Sequence, residues 1–150
     1  MSYSGTMSTV FTKVISGEFP GRFIWEDEKC VGFLSIAPIA YGHTLVVPRQ
    51  EIDQWVEADP ELLAHLSRVA QRIGKAQVEA FGSQRAGLAV AGYEVPHLHL
   101  HVWPSNSMED FDFSRAMDNP DEVRMDEAAE KLRVALRLMG ESEHVPAEED

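Results

Sequence analysis

The chain has 150 residues, a formal net charge of −12 and a sequence pI near 4.8, a balance that repels a phosphate backbone and argues against nucleic-acid binding. The length is that of one domain able to bury most of its apolar surface. No stretch is long and apolar enough to span a bilayer, and the single cysteine, Cys30, excludes an internal disulfide framework. With no N-terminal apolar run of signal-peptide type, a cytoplasmic, non-membrane protein is expected.

In chain order, residues 1–6 are expected to be disordered. The runs "GRFIWEDE", "CVGFLSI" and "HTLVVPR" are short, rich in aromatic and β-branched residues, and broken by Gly21, Pro38 and Gly42. They read as an antiparallel meander. Asp59 and Pro60 then supply an N-cap and a first-turn signal for one long amphipathic helix over 61–81. Its apolar positions are Leu62, Leu63, Leu66, Val69, Ala70, Ile73, Ala76, Ala80 and Phe81, with Gly82 at its end. "GLAVAG" and "HLHLHVW" return to strand character, and the polar "SNSMEDFDFS" reads as a loop. Trp103, Phe111 and Phe113 there read as packing aromatics, with lining of a site as the alternative. A second amphipathic helix is expected over about 126–139, with Leu132, Ala135, Leu136 and Met139 on one face. Residues 141–150 are acidic and lack an apolar face, so a disordered tail is expected. The resulting class is α+β, an antiparallel sheet packed with one long helix and a C-terminal helix in a single domain, its core over about 10–140.

The chemistry is concentrated in "EVPHLHLHVWP". Side chains on a strand alternate between faces, so His97, His99 and His101 share one face while Leu98, Leu100 and Val102 share the other. Imidazole titrates near neutrality, which suits nucleophilic attack, proton transfer or metal binding. At about 3.3 Å per residue the outer two histidines stand roughly 13 Å apart along the backbone, too far for all three to hold one ion. Two neighbours still reach one ion given other ligands, but no CxxC or HExxH pattern supplies them. Pro96 fixes the entry to the strand, and Gly92 permits a tight turn or a close backbone approach to a ligand. Exposed N–H groups beside an imidazole row suit a phosphate, and a neutral histidine attacking phosphorus splits one hard displacement into two easier ones. His65, within the long helix, and His144, in the tail, read as bystanders. Cys30 reads as a small buried hydrophobe, and the carboxylates of "WEDE" as a solvated turn.

"HLHLHVW" resembles the signature of the histidine triad (HIT) superfamily, and the resemblance extends upstream. The stretch from Phe11 to Arg49 is similar to the N-terminal half of a HIT domain, in its F-x-K-I-x-x-G-E-x-P opening and its P-x-x-x-G-H-T-L-V-x-P element. The resemblance implies a HIT-like fold and a hydrolase or transferase acting at the α-phosphate of a nucleoside monophosphate derivative, a phosphoramidate or a dinucleoside polyphosphate. It places the nucleophile at His99, with His97 and His101 flanking it to position phosphate and assist proton movement and His43 reaching the same cluster. Val10, Phe11, Val14, Phe33 and Ile36 match the apolar pocket for a purine base, and Gly92 with the backbone at Glu94 matches the turn at the phosphate. A small nucleotide substrate and a homodimer are implied, and neither metal nor cofactor is required. The contrasting readings are a non-catalytic nucleotide-binding or signalling module and a metal-dependent enzyme.

The chain departs from the pattern in places. Ser35 falls where the family has the acid that holds the ribose hydroxyls, and a hydroxyl has one oxygen and no charge where a carboxylate has two and one. Tyr93 stands where many relatives have glutamine, and Glu94 where the phosphoramidase branch has a serine. The CxxC of some bacterial relatives reads Thr9 and Thr12, so the structural zinc of that subgroup is not expected.

Overall fold

The computed structural model describes residues 8–147; the expected disorder of residues 1–6, and the last three residues of the expected tail, lie outside that range. Helix α1 (Val10–Ile15) opens the described chain. It is short and β-branched, a poor helix by propensity, and is capped by the Thr9 hydroxyl, which accepts from the Thr12 amide. The meander follows as β1 (Phe23–Glu26), β2 (Cys30–Leu34) and β3 (Thr44–Pro48). Helix α2 (Pro60–Phe81) starts and stops on the residues that signalled it: the Asp59 carboxylate accepts from Glu61 N, and Gly82 ends the helix at φ 65 in the left-handed region. Strands β4 (Arg85–Ala89) and β5 (Leu100–Ser105) and helix α3 (Glu122–Leu138) complete the fold.

Among the described residues the five strands form one antiparallel sheet in the order β1-β2-β3-β5-β4, giving the α+β class expected. One face carries the main core: Cys30, Leu34, Val46, Leu98, Leu100 and Val102 pack against Leu66, Ile73 and Ala76 of α2 and Met125, Leu132 and Leu136 of α3. The opposite face carries a smaller apolar cluster of Phe11, Val14, Val31, Phe33, Leu45 and Val47. Register explains the division. Phe33 pairs with Leu45 and Leu45 with His101, and directly opposed residues in an antiparallel sheet project to the same side. The histidines therefore share the α1 face, and α2 and α3 leave that face open.

Several boundaries differ from the sequence reading. Strand β5 begins only at Leu100, because the preceding backbone bonds elsewhere: Leu98 N donates to Ile52 O and His97 N to Val95 O. The facial alternation survives, since Leu98 lies in the helix-side core while His97 and His99 meet Phe11. Strand β4 begins two residues before "GLAVAG" and leaves the sheet at Val90. Helix α3 begins four residues before Asp126, at an Asp121 cap that accepts from Val123 and Arg124. The "SNSMEDFDFS" loop is wound into 3-10 turns at Met108–Phe111 and Phe113–Arg115. Disorder from residue 141 is overturned over 141–147: Glu141 pairs with Arg72 at 2.7 Å, and His144 stacks on Trp25 at 4.7 Å. The tail lacks an apolar period, yet it docks through that ion pair and ring, through Val145 packed on the main core, and through the Pro146 carbonyl, which accepts from Arg137 at 3.1 Å.

Gly42 ties the helix layer to the histidine face. Its φ of +101 suits glycine, and a Cβ there meets the Phe81 ring at 2.5 Å; its carbonyl accepts from Gln77 of α2 at 2.9 Å. Gly42→Ala thus combines backbone strain with overpacking and is expected to cost about 2–4 kcal/mol. A urea denaturation midpoint unchanged from the wild type contradicts this account.

Candidate active site

His43, His99 and His101 converge on the α1 face. The rings of His99 and His101 lie 4.8 Å apart between centroids, and those of His43 and His101 lie 5.2 Å apart. Their hydrogen-bond partners decide which nitrogen carries the proton. Ile39 N–H donates to His43 Nδ1 at 3.0 Å, so the proton of neutral His43 sits on Nε2 and is donated to His101 Nδ1 at 3.0 Å. The proton of His101 is thereby assigned to Nε2. At His99 the pattern reverses: Nδ1 lies 2.7 Å from the His97 carbonyl, which only accepts, so Nδ1 carries the proton and Nε2 keeps its lone pair. A bare nitrogen and an N–H thus stand on adjacent rings.

His97 holds a different post from the one expected. It is fully buried, its Nε2 donates to Pro48 O at 2.8 Å, and its Nδ1 accepts from the Thr9 hydroxyl at 2.6 Å. With both ring nitrogens engaged, it offers the site its backbone carbonyl and has no nitrogen left for phosphate. Phe11, Val14 and Phe33 gather beside the histidines, Phe11 meeting the His99 ring edge-on at 4.8 Å. Val10 and Ile36 are exposed and stand outside this cluster, while Val31, Leu45 and Val47 belong to it; strand register from Phe33 and His101 is the signal that reaches them. Ser35 is buried, with its hydroxyl accepting from Ala37 N at 3.2 Å and its amide donating to His43 O at 2.9 Å. Gly92 turns at φ +85 in the segment leading to His97, and Glu94 is close enough for its charge to act on His99. Phe113 packs edge-on to His101 at 4.9 Å and also meets Trp103, so it both packs and borders the site.

Thr9 and Thr12 do not fit a zinc site. Hydroxyls are poor substitutes for thiolates, and His97 Nδ1, the imidazole nitrogen available beside them, is already bonded to Thr9. A second cluster lies on the helix-covered side, beside a cavity of about 600 Å³. There Asp27 Oδ2 accepts from Trp25 Nε1 and from His65 Nε2, both at 2.8 Å, and from the Cys30 thiol. Burial tends to raise the Asp27 carboxyl, yet these bonds and the Lys29 and Cys30 amides hold it at about 2. The thiol is pushed far up, first by burial and then by the Asp27 charge. Asp27 is thus a structural junction, and neither His65 nor "WEDE" is idle.

Comparison with known proteins gives the family. Residues 16–108 match the HIT domain model. The chain belongs to the histidine triad superfamily. An uncharacterized HIT-like protein of Borreliella burgdorferi is 31% identical over 113 residues, 71% of this chain and 81% of that protein. The adenylylsulfatase HINT3 of Arabidopsis thaliana is 33% identical over 100 residues, 63% of this chain and 51% of its own length. A crystal structure of a Zn-bound histidine triad family protein from Mycobacterium smegmatis superposes with a TM-score of 0.79 at 34% identity, covering 92% of this HIT chain and 99% of that one.

Burial dominates the titration of the four imidazoles. It pushes His43 down to about 3 and His101 to about 4, the neighbouring histidines adding to the effect, and it lowers His97 and His99 against opposing hydrogen bonds. Folded values below the unfolded value of about 6.5 mean that the unfolded chain binds more protons as pH falls through that value, so these groups withdraw stability on the acid side. At pH 6, where a free imidazole is roughly three-quarters protonated, His43 and His101 are expected to remain neutral. Imidazole NMR titrations placing either near 6.5 contradict the geometry.

Proposed function

We propose that this HIT protein is a nucleotide-binding hydrolase or transferase that cleaves at the α-phosphate of a nucleoside monophosphate derivative through a nucleotidyl-His99 intermediate. The observation that carries the reading is the bare Nε2 of His99 beside the Nε2–H of His101, assigned by the partners of their other nitrogens. His99 Nε2 attacks phosphorus, the P–X bond breaks, and its electron pair leaves with X, which takes up a proton from solvent. The N–H of His101 hydrogen-bonds the oxygen on which charge develops. His99 Nδ1 keeps its proton against the His97 carbonyl, so the nucleotidylated ring is a cation and a good leaving group when water attacks in the second step. The side chains that assemble the site do these steps with no metal. The apolar cluster around Phe11 and Phe33 supports a flat base stacked near the attacking ring. The curated name of the Arabidopsis relative, an adenylylsulfatase, supports the same class of bond with sulfate as X.

Adenosine phosphoramidate tests the chemistry directly. The wild type is expected to turn it over in the presence of chelator and to yield a trappable adduct of one nucleoside monophosphate. His99→Ala loses both by several orders of magnitude while retaining nucleotide affinity within about tenfold. Undiminished turnover in that variant, or chelator-sensitive turnover in the wild type, overturns the mechanism.

The sugar supplies a separate test. Ser35 follows Phe33 by two positions on the same side of the chain and offers one uncharged oxygen, already engaged with Ala37 N. Discrimination of ribose from deoxyribose is therefore expected to be weak, and Ser35→Asp is expected to sharpen it by about tenfold or more. A wild-type preference of orders of magnitude for the ribonucleotide shows that another group holds the sugar.

A further inference from the structure

We propose that Thr9 and Glu51 form a latch that positions His99 for attack, acting through His97 and helix α1; the proposal rests on the reading of His99 as nucleophile. Neither residue lies in the histidine motif. The Thr9 hydroxyl meets His97 Nδ1 across 88 residues of chain at 2.6 Å. Because His97 Nε2 must donate to the Pro48 carbonyl, Nδ1 can only accept, and the one proton of the Thr9 hydroxyl is committed to it. The Thr9 oxygen in turn accepts from Thr12 N at 3.1 Å. The Thr12 hydroxyl then donates to the Glu51 carboxylate, which also accepts from Thr9 N at 3.2 Å. The start of α1 therefore donates both ways, through the Thr9 hydroxyl to His97 and through the Thr9 amide and the Thr12 hydroxyl to Glu51, and ties the two together.

The geometry links this cluster to the attacking atom in two ways. His97 is the residue whose carbonyl accepts from His99 Nδ1 at 2.7 Å, so the orientation of that peptide determines whether His99 Nε2 is bare. Leu98 N, the next amide, donates to Ile52 O at 2.6 Å, which fastens the peptide beside Glu51. Phe11, two residues after Thr9, packs edge-on against His99 and His97. A six-residue helix of β-branched sequence has little stability of its own. The latch gives α1 a fixed seat and α1 gives the His99 ring a fixed wall. Losing the Thr9 hydroxyl leaves a buried Nδ1 without a donor, and the ring and its carbonyl must shift to find one.

The test compares Thr9→Val, Glu51→Ala and Thr9→Ser with the wild type by steady-state kinetics on adenosine phosphoramidate and by the ring-nitrogen NMR of His99. Val and Ala are expected to lower kcat about 10- to 100-fold, as a small misplacement of an attacking group does, with KM within about threefold because the latch touches no substrate. Serine, which keeps the hydroxyl, restores kcat. His99 is expected as the Nδ1–H tautomer in the wild type and Thr9→Ser, and as a mixture in Thr9→Val. Wild-type kcat in Thr9→Val overturns the proposal, as does a loss that serine does not rescue or a His99 tautomer unchanged by valine. Should the wild type form no adduct, the nucleophile reading fails by itself, and the ring-nitrogen comparison alone still decides for or against the latch.

Discussion

A neutral imidazole has one proton, and the structure depends on where each of four imidazoles keeps it, three of them (His43, His97 and His99) buried and His101 half-buried. Burial makes the charged form costly, so each ring in the cluster can donate once and accept once. The Pro48 carbonyl fixes the proton of His97, and two more fixed points determine the other three rings: the Ile39 amide, which can only donate to His43, and the His97 carbonyl, which can only accept from His99. From the first, protons run outward through His43 and His101 and leave an N–H at the end. From the second, the proton of His99 is held on the inner nitrogen and the outer one is left bare. Opposite polarity on adjacent rings is a property of the backbone around them, which is why identical side chains acquire different roles.

The sheet makes this possible by separating its two faces. Leu98, Leu100 and Val102 anchor the histidine segment in the helix-side core, and the buried amide of Gln77 bridges the Gly42 and Val102 carbonyls at 2.9 and 3.0 Å. That bridge connects the strand entering at His43 to the strand carrying His101, so the distance between the two rings is set from below. Among the described residues no long helix lies over the α1 face. Its cover is the short α1 at one end and the turns bearing Phe111 and Phe113 at the other, which wall the imidazoles.

Much of this is written in local sequence. The long helix has a cap, a proline, a period and a terminal glycine, and the meander has runs of β-branched and aromatic residues between turn formers. The alternation of histidine with leucine and valine gives the facial split without any structure. What was not legible is of three kinds. Helix α1 has a weak intrinsic preference, and tertiary contacts decide it. The start of α3 was carried by "NPDE", a proline followed by a capping aspartate, but the apolar period begins later and drew the boundary with it. The role of His97 depends on the Pro48 carbonyl and the Thr9 hydroxyl, 49 and 88 residues away, and no spacing within "HLHLHVW" distinguishes a ring with both nitrogens committed from one with a nitrogen free. The tail fell to the same limit: His144 is unremarkable in sequence and acquires its place from Trp25.

The charge of the chain also belongs to this arrangement. With a net charge of −12, an anionic phosphate meets a protein whose average field repels it, and the charged neighbours acting on His97 and His99 are the carboxylates of Glu51 and Glu94. An anionic nucleophile in such surroundings faces repulsion from the phosphate and from the protein together. In the proposed reaction a neutral ring faces neither, and on bonding to phosphorus it would become positive, so that the nearby carboxylates would serve as counter-charges. The burial that holds these imidazoles below their ordinary range therefore does more than keep a lone pair available at neutral pH. It makes the proposed attack on a phosphate compatible with an acidic protein.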